Sequence, residues 1–386
     1  MAPGGAVRYV FMVHDWGWRA VVRKMVVRAA MLVETVVQAG VLLALRVRGR
    51  HLPMVVPFIG HGTTRRVRVG GRVVLGRPAA AAPAAGVPDA PATPATRRAV
   101  LRASVARFLT VEVPGAVVAI SWPGGSAQVR ADRDGYVDAV LEVDALDPGW
   151  HEFEMSLRDG SAVSAQVLVV DPDVRIGLVS DVDDTILETG LSRGIEFIRA
   201  TLLTPVRDRA PLPGAAALYR ALVCPPNQPR RPVFYVSTSP WNLHEMLLEF
   251  IALRRFPLGP LLLTDWGPSR SGLFRIGAQE HKVGLVERTL QEHPRLGLVL
   301  VGDSGQLDPE IYATLARRHP DRIRAVYIRR TRHALPGRLT EVDALAAAVT
   351  AEGVPMLAVD NSLQIATHAA AVGLLDASAL TEVQAD

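Results

Sequence analysis

The chain has 386 residues, of which 49% are apolar, so it is long enough for two domains that each bury a core. It contains a single cysteine, Cys224, which excludes an internal disulfide framework and is typical of a reducing compartment. The formal net charge is +5, and Lys24 and Lys282 are the only lysines among 43 basic residues. A compact ammonium is not interchangeable with a planar guanidinium, so a lysine in this arginine-dominated chain indicates a chemical requirement.

The first predicted element is a basic amphipathic helix over 18–46, within an N-terminal region of 1–48. Arg19, Arg23, Lys24 and Arg28 fall on one half of its circumference. The helix either docks on an anionic membrane surface or packs on the next domain with its arginines toward water. No stretch reaches the roughly 18 uncharged apolar residues of a membrane-spanning helix, and the N-terminus lacks a secretory signal pattern. We therefore expect a cytoplasmic protein, with peripheral membrane association as the open alternative.

The next predicted unit, residues 49–172, reads as a small β-sandwich-like domain. An extended segment, a glycine turn and a strand occupy 49–76, and a Pro/Ala-rich loop occupies 77–96. Glycine-containing turns then separate short apolar runs, a spacing typical of an antiparallel sandwich or barrel. These strands are predicted at 109–113, 116–121, 127–130, 136–143, 151–157 and 162–170.

From residue 174 onward, apolar strands alternate with helical stretches, which predicts a doubly wound parallel sheet of the α/β class over 173–386. The strands are predicted at 174–180, 232–236, 257–263, 296–301, 323–328 and 355–359. The helices are predicted at 191–203, 215–222, 242–253, 282–292, 309–317 and 362–372. Asp-Pro-Asp at 171–173 marks the expected boundary with the preceding domain.

Four polar segments in the second half of the chain carry the candidate chemistry. They are DVDDT at 181–185, STS at 237–239, HK at 281–282 and GDSGQLD at 302–308. The first, second and fourth each follow a predicted buried strand. Because parallel strands bring their carboxyl ends to one edge of a sheet, these side chains are expected to converge there.

The pattern is that of phosphoryl transfer through an aspartate. Asp181 is the expected nucleophile, which would carry an aspartyl-phosphate, and Asp183 the expected general acid and then base. Thr185 is expected to fix the intervening turn. Ser237 is expected to donate a hydrogen bond to a phosphoryl oxygen, and Lys282 to supply positive charge where the transition state is negative.

A magnesium ion is the expected cofactor, because these carboxylates are hard oxygen ligands. Asp181 and Asp303 are the side-chain candidates, and a carbonyl oxygen of Val182 or Asp183 would complete the protein's share. Asp308 is expected to orient Asp303 or a bound water. No cluster of cysteine and histidine indicates structural zinc.

Each signal has an alternative interpretation. Asp and Thr are common in turns, and the Ser-Thr-Ser run also fits the N-cap of the helix that follows. Thr238 and Ser239 are the alternatives to Ser237 as phosphate contacts. Trp241 either touches substrate or packs in the core, and His281 binds a second anionic group or is an ordinary surface residue. Arg329, Arg330 and Arg332 either face acidic lipid or are solvated charge.

These residues resemble the haloacid dehalogenase superfamily of aspartate-nucleophile phosphohydrolases. The segments DVDDTI (181–186), FYVSTSPWNL (234–243) and GDSGQLDPEIY (302–312) resemble, more narrowly, the catalytic domain of the actin-patch type of phosphatidate phosphatases. The resemblance covers about 174–375. No insertion between Thr185 and Ser237 is long enough for a full cap domain, so we expect a site open to a large or surface-bound substrate. The resemblance implies Mg²⁺-dependent removal of phosphate from phosphatidate, giving diacylglycerol. Thr238 departs from the pattern, since relatives often carry Asn there, and the proline-rich tails linked to actin partners are absent.

The expected function is therefore Mg²⁺-dependent hydrolysis of a phosphomonoester, with a lipid phosphate as the favoured substrate. One alternative is a phosphatase for a soluble phosphomonoester or a phosphoprotein. Another is a non-catalytic adaptor that binds a membrane or a partner. Nucleic-acid binding is not expected, because the basic residues lack interleaved aromatic side chains. The oligomeric state stays open.

Overall fold

The computed structural model describes residues 52–76, 111–158, 162–187, 206–264, 278–331 and 334–386. The predicted helices over 18–46 and 191–203 and the Pro/Ala-rich loop 77–96 lie outside the described residues. Within these ranges, no helix is long and apolar enough to cross a membrane.

The first half of the described chain forms one hydrogen-bonded network of nine strands. The strands are β1 Leu52–Pro57, β2 Gly60–Gly62, β3 Arg66–Gly76, β4 Val111–Glu112, β5 Val117–Trp122, β6 Gly125–Arg130, β7 Tyr136–Glu142, β8 Gly149–Leu157 and β9 Val163–Val169. The main path runs β1-β3-β2-β9-β8-β5-β6, while β4 and β7 pair with β3. The sheet is mixed, because β2 runs parallel to β9 whereas the other pairs are antiparallel.

Strand β7 illustrates why these segments are strands. Its sequence YVDAVLE alternates, and Val137, Ala139 and Leu141 are buried while the residues between them are exposed. A turn at Gly135, whose φ of 77° favours glycine, precedes the strand. The predicted strands from 109 to 170 are all present, with ends shifted by at most a few residues.

The second half contains a parallel sheet of six strands in the order β12-β11-β10-β13-β14-β15. The strands are β10 Ile176–Ser180, β11 Val233–Pro240, β12 Leu261–Thr264, β13 Gly297–Asp303, β14 Ile323–Arg329 and β15 Met356–Val359. The helices are α1 Ala215–Val223, α2 His244–Leu253, α3 Ala278–Glu292, α4 Asp308–Arg318, α5 Arg338–Ala351, α6 Ser362–Ala371 and α7 Leu380–Ala385. The prediction of an α/β chain with a parallel sheet is confirmed; helices α5 and α7 were not predicted.

Helices cover both faces of the parallel sheet. Leu178 packs with residues of α1, α2 and α6, whereas the adjacent Val179 packs with residues of α3, α4 and α5. Neighbouring residues of a strand point to opposite faces, so the near-continuous apolar runs of the central strands fill two cores. All seven residues of β13 are buried, which accounts for the apolar run that predicted this strand.

The two sheets contact each other through aromatic and basic side chains. The Arg72 guanidinium lies 3.6 Å from the centre of the Trp241 ring, and His61 Nδ1 lies 2.9 Å from His293 Nε2. Arg68 Nε donates to Glu292 Oε1 at 2.6 Å. The nine-stranded network therefore packs beside α3 and the segment that follows β11.

Candidate active site

The segment after β10 places Asp181 at the carboxyl edge of the parallel sheet. Its backbone N–H donates to the Val301 carbonyl of β13 at 2.9 Å, so the strand pairing continues up to this residue. The chain then turns sharply, with Asp184 at a φ of 55° and the Ile186 N–H donating to the Val182 carbonyl. Thr185 Oγ1 lies 3.3 Å from Asp181 Oδ2, so this hydroxyl contacts the carboxylate as well as belonging to the turn.

Lys282 joins two of the predicted carboxylates. Its Nζ donates to Asp181 Oδ1 at 2.8 Å and contacts Asp308 Oδ1 even more closely. All three side chains are at most 2% exposed. Burial lowers the pKa of Lys282, but the charges of Asp181 and Asp308 outweigh it and hold the pKa well above its ordinary value. The ammonium is therefore charged and fixed between the two carboxylates.

The loop after β13 holds Asp303 by backbone hydrogen bonds. Asp303 Oδ1 accepts from the N–H groups of Gly305 and Gln306 at 2.6 and 2.9 Å. Its second oxygen, Oδ2, is buried with no hydrogen-bond partner. Glycine is required at 302, because a Cβ there would lie 2.5 Å from Asp308 Oδ2. This close approach brings α4, which begins at Asp308, against the end of the strand.

Asp181, Asp303 and Asp308 together fit a divalent cation. Each offers an oxygen, and these oxygens lie within 4.8 Å of one another. Burial raises the pKa of Asp303 well above its ordinary value, and the charge of Asp308 adds to the effect. Burial likewise raises the pKa of Asp181, with Lys282 opposing it. A bound cation would relieve this repulsion, and the unpartnered Asp303 oxygen is a hard donor for Mg²⁺.

Asp183 has a different environment from the other carboxylates. Its Oδ2 accepts from Ser239 Oγ at 2.9 Å and from Ser237 Oγ at 3.2 Å, and its Oδ1 is buried without a hydrogen-bond partner. Burial raises the pKa of Asp183, while the two serine hydrogen bonds act in the opposite direction. Its carboxylate is not part of the candidate cation group.

The serine residues in the last part of β11 do not cap helix α2. Helix α2 has Leu243 as its N-cap, with no side-chain cap hydrogen bond. Ser237 and Ser239 bind Asp183 instead, so the N-cap interpretation is wrong. The Ser237 contact with a phosphoryl oxygen stays a prediction, as does that of the half-buried Thr238.

The structure separates the remaining predicted residues. Trp241 is 7% exposed and packs against Arg72 at the contact between the sheets, whereas His281 is exposed on the first turn of α3. Their substrate contacts stay predictions. Arg329 is buried and donates to Ser362, so both interpretations are wrong for this residue. Arg330 is partly exposed and forms ion pairs with Asp343 and Asp360. Arg332 lies outside the described residues.

Arg338 supports the loop that carries Asp303 and was not foreseen. Its Nε donates to the Ser304 carbonyl at 3.0 Å and its Nη2 to the Gln306 carbonyl at 2.8 Å. The same guanidinium pairs with both oxygens of Glu310. No local pattern marks this residue, because it begins a helix that the sequence did not predict and lies 34 positions after Ser304.

Fold and site together define an α/β protein in which buried carboxylates and one lysine meet at the carboxyl edge of a parallel sheet. Residues 176–330, which span this site, match the family described as phosphatidate phosphatase APP1, catalytic domain. The segment that holds the candidate site is therefore similar to a phosphatase catalytic domain.

Two curated relatives show the same likeness. Phosphatidate phosphatase APP1 of Saccharomyces cerevisiae is 32% identical over 155 residues, which are 40% of this chain and 26% of that protein. An uncharacterised protein of Schizosaccharomyces pombe is 28% identical over 172 residues, which are 44% of this chain and 27% of that protein. The chain thus spans about a quarter of the length of these relatives.

Among solved structures, a carbohydrate acetylesterase from Xanthomonas citri aligns with a TM-score of 0.28 and 11% sequence identity. The alignment covers 80% of this chain and 68% of the esterase. A likeness this low supports no inference about fold or function.

Proposed function

We propose that the protein is a phosphatase that hydrolyses phosphomonoesters through an aspartyl-phosphate on Asp181, with phosphatidate as the favoured substrate. The observation that carries the proposal is the contact of Lys282 with both Asp181 and Asp308, inside the segment similar to a phosphatase catalytic domain. The named activity of the Saccharomyces cerevisiae relative supports phosphatidate. The product would be diacylglycerol.

In the proposed reaction, a carboxylate oxygen of Asp181 attacks phosphorus as the bond from phosphorus to the leaving oxygen breaks. Asp183 donates its proton to that oxygen, which leaves as an alcohol. Water then attacks the aspartyl-phosphate while Asp183 accepts a proton, releasing phosphate and restoring both side chains. The raised pKa of Asp183 supports its role as the acid of the first step.

Asp181, Asp303 and Asp308 would hold the magnesium ion, which supplies positive charge that keeps Asp181 ionised and offsets the charge of the phosphate. Lys282 adds a fixed positive charge beside the nucleophile. The set of four charged side chains buried together argues against an inert adaptor, since unpaired buried charge without a function is costly.

The finer structural interpretations also belong to this proposal. They are a haloacid dehalogenase-like doubly wound fold over 173–386 without a large cap, and a sandwich-like domain over 49–172. Helices on both faces of the parallel sheet support the first. A cytoplasmic location is proposed as well, and peripheral membrane association is proposed because it would give access to a lipid substrate.

Assays on phosphatidate in mixed micelles and on a panel of soluble phosphomonoesters, each with and without Mg²⁺, test the function. We expect Mg²⁺-dependent release of phosphate from phosphatidate that Asp181→Asn abolishes. Hydrolysis of the soluble esters alone would contradict phosphatidate as the substrate and favour a soluble phosphomonoester. An Asp181→Asn protein as active as the wild type would contradict the nucleophile, as would beryllium fluoride bound away from Asp181 in a crystal.

A further inference from the structure

A crevice of about 360 Å³ lies between the nine-stranded network and the parallel sheet. Trp241, His281 and Leu285 line it from the catalytic side, and Phe58 and Val137 line it from the other. This volume is within the range of sites that bind small molecules, and such sites often lie between domains.

The walls of the crevice favour an apolar occupant. Leu261, Leu262 and Leu263 of the edge strand β12 belong to its lining, together with Phe58. The buried His244, which also lines the crevice, is uncharged at neutral pH because burial lowers its pKa to about 4. An apolar group gains free energy by leaving water for such a surface, whereas an ion loses hydration there.

The two arginines that line the crevice each lie beside a carboxylate. Arg68 donates to Glu292 at 2.6 Å and contacts Asp138 as well. Arg288 lies 4.0 Å from the second oxygen of Asp138. Since these cations already have carboxylate partners, the crevice does not present a site built for a second phosphate.

The crevice shares its walls with the segments that form the candidate active site. Trp241 is two residues after Ser239, whose Oγ donates to Asp183 at 2.9 Å. His281 directly precedes Lys282, whose Nζ lies 2.8 Å from Asp181 Oδ1. The crevice and the candidate active site therefore draw on the same two segments of the chain.

We propose that this interdomain crevice binds the hydrocarbon portion of the alcohol that leaves from the phosphomonoester. The inference rests on the proposed function and adds to it the place where the leaving group is held. It also gives the nine-stranded network a role in substrate preference, because Phe58 and Val137 complete the walls.

The test compares kcat/KM for ethyl, butyl and octyl phosphate in the full chain and in variants at Leu262. For the wild type we expect kcat/KM to rise with chain length. Leu262→Trp narrows the crevice and should lower the octyl-to-ethyl ratio about tenfold, since each methylene lost from a pocket costs about that much or more. Leu262→Ala, which cannot overpack the fold, should lower the ratio by a smaller factor. Leu253→Trp, at a residue 44% exposed at the end of α2, is the matched control and should keep the wild-type ratio.

Calorimetric titration with octan-1-ol, the leaving alcohol itself, separates the inference from the proposed function. We expect saturable binding to the wild type that Leu262→Trp weakens about tenfold. If the rate of hydrolysis does not depend on chain length and octan-1-ol shows no saturable binding, the proposed role of the crevice is wrong, whereas the proposed phosphatase activity stands. Saturable binding of octan-1-ol without hydrolysis of any ester would support alkyl binding in the crevice and contradict the proposed phosphatase activity.

Discussion

Lys282 is the residue on which the charge balance of the site depends. Its ammonium contacts Asp181 and Asp308, and Asp303 lies in the same group of carboxylates. Removing one partner of a buried ion pair leaves uncompensated charge, which costs far more than a surface pair is worth. The lysine is therefore a structural element of the site as well as a proposed participant in catalysis.

Lys282→Met is expected to lower the free energy of unfolding by about 3–5 kcal/mol in the absence of a divalent cation. Mg²⁺ should restore part of this loss, because the freed carboxylates gain a cation in place of the ammonium. Thermal melts of wild type and variant, with and without Mg²⁺, measure the difference. An equal Mg²⁺-induced shift in Tm for both proteins would contradict the idea that the cation replaces the lost ammonium, and no shift in either protein would contradict the cation site.

His244 is a second buried residue with a clear energetic signature. Neither of its ring nitrogens has a hydrogen-bond partner, and burial lowers its pKa from 6.5 to about 4. As the pH falls, His244 therefore becomes protonated near pH 6.5 in the unfolded chain but only near pH 4 in the folded chain. This group destabilises the fold progressively as the pH falls through that window.

His244→Phe is expected to be more stable than the wild type, and the advantage should grow as the pH falls from 6.5 toward 4. The shift of pKa corresponds to about 3 kcal/mol at the acid end. Urea unfolding at several pH values measures it. The carboxylates with raised pKa values are common to both proteins, so the difference between them isolates the histidine. A constant difference across this range would show that His244 keeps its proton equilibrium on folding.

At the scale of elements, the start of α5 determines the shape of the loop between β13 and α4. Arg338 binds the carbonyl groups of Ser304 and Gln306 and pairs with Glu310, so one planar side chain joins the loop to the first turn of α4. Asp303 and Asp308 stand at the two ends of this loop. Arg338 therefore acts on the candidate cation site through the loop rather than by contact with the ion.

Arg338→Met is expected to weaken Mg²⁺ binding about tenfold, because losing a residue that orients metal ligands typically lowers metal affinity by about that factor or more. Arg338→Lys should recover only part of the affinity, since an ammonium cannot reproduce the planar set of contacts. Calorimetric titration with Mg²⁺ gives the affinity without recourse to activity. Arg317→Met removes a comparable but exposed pair with Glu352 and should bind Mg²⁺ as the wild type does. Equal affinities for the Arg338 and Arg317 variants would contradict the positioning role.

At the scale of the whole molecule, Arg72 is one of the side chains that join the two sheets. This side chain is 4% exposed, lies over the rings of Tyr136 and Trp241, and pairs with Glu112 at 2.9 Å. It therefore links strands of the nine-stranded network to the segment that follows β11 of the parallel sheet. Stacking of a guanidinium on two rings within a buried contact stabilises the arrangement.

Arg72→Met is expected to lower the free energy of unfolding by about 3 kcal/mol, because it removes the ion pair with Glu112 and the stacking on two rings. The two sheets should then unfold in separate steps in scanning calorimetry. Arg72→Lys keeps the positive charge but not the planar stacking, so its free energy of unfolding should lie between those of the wild type and Arg72→Met. A single unshifted transition in Arg72→Met would show that other contacts hold the sheets together.

Several elements could be predicted from local sequence. The strand before Asp181 and the one before Asp303 are apolar runs followed by polar loops, and both are present at the predicted edge. Helix α5 was missed, because only Val342, Ala346 and Val349 of its residues are buried and its apolar face is weakly marked.

Local sequence is enough to place the candidate residues at the carboxyl edge of the parallel sheet, because an apolar strand and the polar loop after it occupy neighbouring positions. The partners of these residues follow from the tertiary fold: Lys282 lies between Asp181 and Asp308, two serines donate to Asp183, and Arg338 binds the loop. Such partners come from segments that meet through packing of whole helices and sheets. The crevice between the two sheets has the same origin, since its walls belong to parts of the chain more than a hundred residues apart.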